Sequence, residues 1–329
     1  MLLITGATGF IGRHLTSKFL FSDYPIVALY RSLSKKEETL LFLQNENPTE
    51  NAAIDAIEWR YADLNDVGLY PTIFAGITHL IHAAAFVSLY PEDEDKMMQQ
   101  NVQVTAQLVD QALHDKIEWF GHFSSIAALG KGSKKQIITE ESLWDKEALH
   151  SAYSYTKHMA EIELWRGFAE GLEGCVFNPG VVLGNGSNDS PLQQLIRQQN
   201  KLGNWTTGGG SGFVAVEDVV QAVFDALDQK ITRKRFILVS ENWTYQDLIQ
   251  KIRDLQNKKF TPKLIRRRTL NFLYRLEKLM YLVGRKRKLS HALIDTLCTQ
   301  IVYDGSAITR TLKDFKYRSL DQQLANYLN

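Results

Sequence analysis

The chain has 329 residues, of which 44% are hydrophobic and 23% are charged, and its formal net charge is +1. These values are typical of a soluble protein that buries a large core in one large or two unequal domains, and the net charge indicates no class of partner. The two cysteines, Cys175 and Cys298, lie far apart and outside any C-x-x-C spacing, so the sequence indicates neither a disulfide framework nor a thiolate metal site.

The N-terminal residues give no sign of a targeting segment. Leu2, Leu3 and Ile4 follow the first methionine directly, without a basic leader or a cleavage-site pattern. No uncharged apolar run reaches the roughly 18 residues that a membrane-spanning helix needs. Since the low cysteine content also fits a reducing compartment, we expect a cytoplasmic protein.

Short apolar runs alternate with helical patterns through the first two thirds of the chain. Strands are predicted over residues 2–4, 26–30, 57–61, 79–83, 119–124 and 174–177, with one more over 235–239. Segments long enough for crossover helices separate them. The alternation predicts an α/β fold of the Rossmann type, in which a doubly wound parallel sheet is followed by a smaller C-terminal substrate-binding domain.

The first predicted strand runs into Thr5-Gly6-Ala7-Thr8-Gly9-Phe10-Ile11-Gly12, with three glycines spaced by three. Glycine permits backbone conformations and close approaches that a Cβ forbids. Gly6 would allow the sharp exit from the strand, Gly9 would let the backbone touch a pyrophosphate, and Gly12 would let helix pack on sheet. A tight turn without a ligand is the alternative, but the alternating pattern favours a dinucleotide site. We assign to it Gly6, Thr8, Gly9, Phe10, Ile11 and Gly12.

The end of the second predicted strand indicates which dinucleotide. A carboxylate there would accept hydrogen bonds from the ribose of NAD, whereas this chain has Tyr30, Arg31 and Ser32. A guanidinium beside a hydroxyl suits a 2′-phosphate. Arg31 therefore favours NADP, with NAD as the alternative cofactor and an exposed loop arginine as the non-binding interpretation.

Tyr153 and Lys157 stand four residues apart in a segment, 152–167, that is predicted to be helical, so both side chains lie on one face. A tyrosine with its ordinary pKa near 10 is a poor acid or base at neutral pH, and a neighbouring ammonium lowers that pKa by favouring the phenolate. The lysine can also hold a nicotinamide ribose. Tyr155 should face another way. No metal site is indicated, because His79 and His82 lie on or beside a strand, where core histidines are commoner than ligands.

The segments after residue 184 differ from one another in amino-acid composition. Residues 185–212 are rich in Gly, Ser, Asn and Gln, which predicts irregular structure lining a cleft, and 245–255 reads as a helix. Residues 258–288 contain twelve Lys or Arg and one acid, with apolar residues near helical spacing. This basic amphipathic helix could present a solvated face, contact an anionic membrane as a peripheral protein, or attract an acidic substrate. Nucleic acid is disfavoured, because the aromatics lie among the aliphatic residues.

Together these motifs resemble the extended short-chain dehydrogenase/reductase superfamily, also described as the NAD-dependent epimerase/dehydratase family. The matching segments are the glycine turn, Ala62-Asp63-Leu64, His82-Ala83-Ala84-Ala85, Ser124-Ser125, Tyr153-x-x-x-Lys157, Asn178-Pro179-Gly180 and residues 213–219. The resemblance implies an NAD(P)-binding domain over residues 1–184, to which 213–230 returns. Residues 185–212 and 231–329 would form the smaller domain.

The resemblance also implies roles for individual residues. Ser125 would hydrogen-bond the substrate carbonyl beside Tyr153, and Lys157 would tune the tyrosine and grip the ribose. Asp63 would accept from the adenine amine, and Asn101 would take part in a proton relay, or else cap a helix or fill the core. The other implied cofactor contacts are Leu64, Ala83, Ala84, Ala85, Ser124 and Asn178.

Small features distinguish the branches of this superfamily. Ile126 and Ala127 follow Ser125 where dehydratases have an Asp-Glu pair, and the second strand lacks the acid typical of epimerases. Arg31, residues 178–184 and residues 285–290 are most similar to the dihydroflavonol-4-reductase and 3β-hydroxysteroid-dehydrogenase-like branch. That branch implies reduction of a ketone or aldehyde to an alcohol by hydride transfer, with Tyr153 as proton donor.

Two other functions stay open at the level of sequence. One is an NAD(P)-dependent nucleotide-sugar epimerase, whose diphosphate the basic C-terminal segment would contact. The other is a dinucleotide-binding sensor without turnover, against which the intact Ser125, Tyr153 and Lys157 argue. We expect a small-molecule carbonyl or alcohol as the partner, and a homodimer is compatible with the sequence. The substrate-selecting residues are expected in 86–95, 129–146, 185–213 and the C-terminal helices.

Overall fold

A computed structural model describes residues 1–88, 90–130, 137–185, 191–281 and 287–328. The strands in these ranges are β1 Leu2–Thr5, β2 Ile26–Tyr30, β3 Glu58–Tyr61, β4 His79–His82, β5 Trp119–Phe123, β6 Gly174–Pro179, β7 Val181–Leu183, β8 Trp205–Thr206, β9 Gly210–Ala215, β10 Lys234–Leu238, β11 Glu241–Thr244 and β12 Lys263–Leu264. The helices are α1 Phe10–Phe19, α2 Leu33–Glu46, α3 Asn51–Asp55, α4 Tyr70–Ile73, α5 Glu94–Met97, α6 Val104–His114, α7 Ala152–Ala169, α8 Pro191–Leu202, α9 Val216–Asp228, α10 Tyr245–Leu255, α11 Arg267–Tyr281, α12 His291–Cys298, α13 Ser306–Thr311 and α14 Leu320–Leu328.

The centre of the described structure is a parallel sheet of seven strands in the order β10-β6-β5-β4-β1-β2-β3. Leu3 pairs with Val27 of β2 on one side and with Leu80 of β4 on the other, so the strand order reverses around β1. In open α/β sheets, ligands bind outside the carboxyl ends of the strands at such a reversal. The predicted Rossmann-type sheet and all seven of its predicted strands are therefore confirmed.

Helices cover both faces of this sheet, and the sequence reflects that burial. Every residue of β1 and β5 is buried, which is why these strands read as continuous runs rather than as alternating patterns. One core cluster joins the sheet to α1 and α9 through Leu15, Phe19, Val220 and Val223. The cluster on the other face joins it to α6 and α7, through residues that include Leu108 and Leu164. The packing of α9 on α1 places residues 216–228 against the main sheet; the division into two domains stays a prediction.

A third apolar cluster holds the three-stranded sheet β11-β9-β7 against α8, α10 and α14. The prediction of irregular structure over 185–212 is wrong for most of this range, since it contains α8, β8 and the start of β9, while residues 186–190 lie outside the description. The physical reason is local: Leu192, Leu195 and Ile196 recur at helical spacing and pack in the cluster, although polar residues surround them.

The C-terminal predictions were closer. Helix α10 covers the predicted residues 245–255, and a capping box between Thr244 and Asp247 fixes its start. The helix predicted within 258–288 is α11, Arg267–Tyr281. It begins after residues 263–264, which pair with β8. Residues 282–286 lie outside the described ranges. Of the described helices, none combines the length and apolar character needed to cross a membrane.

Candidate active site

The glycine turn after β1 has the geometry that its spacing predicts. Gly6 has a φ of +68°, and a Cβ there would lie 2.6 Å from the backbone nitrogen of Ala84. The N–H of Gly9 donates to the carbonyl of Gly6 over 2.8 Å, which closes the turn. A Cβ on Gly12 would lie only 2.0 Å from that same carbonyl oxygen, so α1 meets the sheet through a close approach that only glycine permits.

Helix α1 begins with its amides available. Its N-cap is Gly9, which has no side chain to satisfy them, and its first turn contains no acidic residue. The first backbone N–H groups of a helix lack partners within the helix and carry the positive end of its dipole. The start of α1 is therefore suited to an anionic group such as a pyrophosphate.

A cavity of about 350 Å³ lies beside this turn. Nine of the predicted cofactor residues line it: Gly6, Thr8, Gly9, Arg31, Asp63, Leu64, Ala83, Ala84 and Ala85. Phe10, Ile11 and Gly12 are instead in the first turn of α1, and Ser124, Lys157 and Asn178 are buried near the ends of the neighbouring strands. Sequence reasoning missed Gln100 and Val104, which line the cavity from the helical segment after β4 and carry no motif signal.

The far end of this cavity combines cations with one carboxylate. Arg31 and Lys35 line it from the end of β2 and the start of α2, and Lys35 also pairs with Glu38 over 2.8 Å. The pKa of Asp63 is lowered, first by hydrogen bonds from Asn65 and then by the charge of Arg31. The cradle at Gly6 and Gly9 and these cations fit a phosphorylated dinucleotide.

Tyr153 and Ser125 meet at the start of α7. Their side chains are hydrogen-bonded, and the Ser125 hydroxyl also accepts from the N–H of Ala127 over 3.2 Å. Burial raises the pKa of Tyr153, and the bond to Ser125 only partly opposes this rise. The expected lowering of the Tyr153 pKa by Lys157 is not found in this structure, because the ammonium is directed to another acceptor. Tyr155 points elsewhere and is 41% exposed.

Lys157 is buried and donates from Nζ to the carbonyl of Phe123 over 2.7 Å. Burial lowers the pKa of Lys157 to about 8, while the negative charge of Glu161 works in the opposite direction. Lys157 therefore changes charge close to the physiological range, and the carboxylate one helical turn away supports its protonated form.

Glu161 is the centre of a buried polar network that sequence reasoning missed. Its carboxylate accepts from Ser124 Oγ at 2.8 Å, from Asn178 Nδ2 at 2.9 Å and from Arg235 at 2.7 Å. The signal was present, since Glu161 continues the four-residue spacing of Tyr153 and Lys157.

Ser124 and Asn178 were predicted to contact the cofactor, and the structure shows what else they do. Both donate to Glu161, and Asn178 Nδ2 also donates to the carbonyl of Ser125 over 2.9 Å. Asn178 Oδ1 is buried without a hydrogen-bond partner among the described residues. The pair thus links the carboxylate of Glu161 to the backbone that carries Ser125.

Asn101 lies in a π-helical turn, Met98–Gln103, and is buried. Its Oδ1 accepts from the N–H of Phe86 over 2.7 Å, and its Nδ2 donates to the Phe86 carbonyl over 2.9 Å. These two bonds hold the loop after β4, whose Phe86 lines the 350 Å³ cavity. In this structure Asn101 fixes the wall of the cavity.

His82 is buried in the core and contacts threonine hydroxyls on either side. His82 Nδ1 lies 2.7 Å from Thr5 Oγ1, and its Nε2 lies 3.2 Å from Thr105 Oγ1. Burial lowers the pKa of His82 to about 3, and the charge of Lys157 adds to this effect. Among the described residues, no group of three or more His, Cys, Asp or Glu side chains is placed to hold a metal ion.

A second cavity, of about 500 Å³, is lined by Tyr153. The described residues that line it are Val87, Ser88, Tyr90, Pro91, Glu94, Met97, Ala127, residues 149–154, Tyr274, Arg287, residues 289–293 and Thr296. The predicted substrate segments 86–95 and the C-terminal helices contribute, while 129–146 and 185–213 are not among the described lining residues. Sequence reasoning missed Leu149, His150 and Ser151, which precede α7.

Comparison with known proteins is consistent with this geometry. The model of the NAD dependent epimerase/dehydratase family matches residues 2–238. A relative from Synechocystis sp. named "Putative dihydroflavonol 4-reductase" is 27% identical, with 98% of this chain and 92% of the relative covered. The crystal structure of gox2253 matches with a TM-score of 0.81 and 22% identity over 100% of this chain and 96% of that one. UDP-glucose 4-epimerase from Thermotoga maritima, with UDP-glucose, matches with a TM-score of 0.75 and 18% identity over 99% and 97% of the two chains.

Proposed function

The chain belongs to the NAD dependent epimerase/dehydratase family, as the match over residues 2–238 shows, and we propose that it is an NADP(H)-dependent carbonyl reductase. Its coarser class is an NAD(P)-dependent enzyme of the extended short-chain dehydrogenase/reductase type. The proposed reaction is reduction of a ketone or aldehyde to an alcohol. The observation that carries the proposal is the hydrogen bond between Tyr153 and Ser125 at the edge of a 500 Å³ cavity.

Tyr153 is suited to give a proton to a carbonyl oxygen. Its pKa is raised by burial, so the hydroxyl is protonated at neutral pH, and it lines the 500 Å³ cavity. Ser125 can hydrogen-bond the same oxygen and so stabilise the negative charge that develops on it. When bound, the nicotinamide cofactor supplies the hydride.

Lys157 and Glu161 follow Tyr153 at successive turns of α7 and support the Tyr153–Ser125 pair. The ammonium of Lys157 lies one helical turn from Tyr153 and donates to the end of β5, the strand that leads into Ser125. Glu161 favours its charged form. We propose that a protonated Lys157 positions the end of β5, and with it Ser125, through its bond to the Phe123 carbonyl, and that it holds the nicotinamide ribose when the cofactor is bound.

The cofactor-facing cations favour NADP(H) in this proposal. Arg31 is exposed and, among the described residues, makes no hydrogen bond or ion pair, so its guanidinium is available to a 2′-phosphate. The substrate cavity contains Val87, Met97 and Leu293 among its lining residues, which suits a carbonyl compound with an apolar body.

Replacing Tyr153 with Phe tests the proton donor. We expect Tyr153→Phe to lower kcat for NADPH-dependent reduction by about 10²–10⁴-fold, while NADPH binding, followed by cofactor fluorescence, stays within a few-fold. Tyr155→Phe, on the same helix but exposed, is the matched control and should leave both quantities unchanged. A Tyr153→Phe variant with wild-type turnover across a panel of carbonyl substrates contradicts the proposal.

A nucleotide-sugar epimerase is the second candidate, and one residue favours it. Arg287 lines the 500 Å³ cavity, where a guanidinium could bind a diphosphate. The two reactions differ in cofactor balance, because a reductase consumes NADPH and an epimerase returns its cofactor unchanged. Net NADPH consumption with a simple ketone or aldehyde favours the reductase, and conversion of a nucleotide-sugar without net consumption favours the epimerase.

A further inference from the structure

Helix α11 is attached to the rest of the molecule by one narrow face. Leu270 is buried, the Tyr274 ring lies 4.4 Å from the His291 ring, and Glu277 accepts from the backbone N–H groups of Lys288 and Leu289 over 3.0 and 2.8 Å. The spacing of these three helix residues, four and then three, is that of one face. The other two thirds of the helix circumference are left to face outward.

One outward face is apolar, and we call it the exposed stripe. Its members are Phe272, Leu273, Leu276 and Leu279, with exposed fractions of 66%, 40%, 42% and 64%. Their spacing places them side by side along about two turns of helix. Side chains of this kind are normal on a surface when scattered singly, but a contiguous run marks an interaction site.

The remaining face is basic. Arg268, Arg275 and Lys278 are exposed, and among the described residues none of them forms an ion pair. Arg267 pairs with Asp295, and the single acid of the helix, Glu277, is turned toward the backbone of Lys288. The exposed stripe is therefore bordered by positive charge that has no local compensation.

We propose that α11 docks the protein on an anionic lipid surface. The exposed stripe would enter the boundary between headgroups and acyl chains, and the basic face would lie against lipid phosphates and carboxylates. A helix with apolar and basic faces side by side is the form that interfacial anchors take. The short β8-β12 ribbon just before the helix adds two exposed apolar side chains, Trp205 at 49% and Leu264 at 54%.

A second copy of this chain is a poorer occupant of the same face. A two-fold pairing of α11 with itself would bring Arg268, Arg275 and Lys278 close to the same residues of the partner, and like charges at an interface oppose association. A negatively charged and deformable surface satisfies both faces at once.

Vesicle flotation with the full chain tests the proposal. We expect binding to phosphatidylcholine vesicles that contain about a third phosphatidylserine, no binding to phosphatidylcholine alone, and a decline as salt is raised from about 0.1 to 0.5 M. Binding is measured without cofactor or substrate. Its outcome is therefore separate from that of the proposed reduction.

Paired variants assign the binding to the helix. Phe272→Asp with Leu279→Asp, and separately Arg268→Glu with Arg275→Glu, should each lower vesicle binding at least about tenfold. The matched control is Phe21→Asp with Leu143→Asp, which changes two apolar residues that are 62% and 89% exposed elsewhere, and it should bind like wild type. Thermal unfolding midpoints verify that each variant is folded.

Three results would overturn the proposal. The first is a wild-type chain that does not float with phosphatidylserine vesicles. The second is binding that both α11 variants retain. The third is a concentration-dependent dimer, measured without vesicles, that the Phe272→Asp and Leu279→Asp variant abolishes, because it would identify a second copy as the occupant.

Discussion

The 350 Å³ cavity and the 500 Å³ cavity are built in different ways. The 350 Å³ cavity is lined largely by small residues and backbone at the ends of β1, β2 and β4, and its shape depends on a glycine turn of eight residues. The 500 Å³ cavity is lined by residues from four parts of the chain, of which the first and last are separated by well over a hundred residues of sequence. Local backbone geometry therefore shapes the proposed cofactor cavity, and long-range packing shapes the proposed substrate cavity.

The largest expected effect is a loss of cofactor binding in a variant that alters only the 350 Å³ cavity. Gly12→Ala places a Cβ where it would lie 2.0 Å from the Gly6 carbonyl, so α1 must move away from the turn and the amides facing the cavity move with it. We expect NADPH binding, measured by fluorescence titration, to weaken at least about 100-fold.

Gly208→Ala is the matched control for that change, since a Cβ there meets open space. It should bind NADPH like wild type. If Gly12→Ala also binds NADPH normally, the close approach between α1 and the turn is not what forms the cofactor site.

The second expected effect concerns cofactor choice. Arg31→Glu should weaken NADPH binding by about 10- to 100-fold, because a charge-assisted hydrogen bond to a phosphate is worth about 1.5–3 kcal/mol. NADH lacks the 2′-phosphate, so its binding should change only a few-fold. Fluorescence titrations with both cofactors measure the two constants.

Lys36→Glu is the charge-matched control for Arg31→Glu. Its ammonium lies 5.0 Å from the Tyr30 ring centroid, outside the lining of the 350 Å³ cavity. It should leave the preference for NADPH in place. An equal loss of NADPH and NADH binding in Arg31→Glu would show that the guanidinium does not recognise the 2′-phosphate.

This contrast also explains what could be predicted from the sequence. Gly6, Gly9 and Gly12 were readable because each is required by a local backbone conformation or close approach, and Tyr153 with Lys157 because a helix fixes their relative position. The positions of β1, β5 and β6 could be predicted because these strands are apolar runs that are buried along their whole length.

Other features depended on contacts that no local pattern encodes. Helix α8 was missed because its apolar residues are few and stand among polar ones, and the cluster in which Leu192 and Ile196 are buried forms only in the tertiary structure. Likewise, His150 and Tyr274 face one cavity although 124 positions separate their numbers in the chain. The raised pKa of Tyr153 was also unforeseen. Its main cause is burial, and the burial of a side chain can be judged only from the tertiary structure.

The third effect concerns the buried charge of Lys157, one helical turn from Tyr153. Lys157 has a pKa of about 8, which Glu161 raises, so the charge of Lys157 is lost as pH rises through about 8. Glu161→Gln removes the supporting charge and lowers that pKa further. If protonated Lys157 supports turnover, the alkaline fall in kcat/KM should move to lower pH by roughly one unit.

Glu163→Gln provides the control for this shift, because Glu163 lies on the same helix and pairs with Arg166 near the surface. Its pH profile, recorded from about pH 6 to 10, should match wild type. An unchanged pH profile of kcat/KM in Glu161→Gln would show that Glu161 does not control the charge of Lys157. The Glu161 network would then have a purely structural role.

The smallest effect concerns β4 and β5, which pair in the middle of the seven-stranded sheet. His82 and His122 are buried there with ring centroids 5.3 Å apart, and burial lowers the pKa of both below the ordinary value near 6.5, to about 3 for His82. The unfolded chain therefore binds more protons than the folded chain below about pH 6.5. Stability is fully present above that pH and falls as pH decreases, by at most about 1.4 kcal/mol per pH unit for each group.

His122→Phe removes one of these groups with little loss of hydrogen bonding, because neither ring nitrogen of His122 has a partner among the described residues. Urea unfolding at about pH 7 and pH 5 should show a smaller loss of stability in this variant than in wild type. His114→Phe, at a side chain that is 81% exposed, should keep the wild-type difference. A single cooperative transition at pH 5 would mean that the cofactor and substrate sides unfold together, whereas two transitions would mean that the two sides differ in stability.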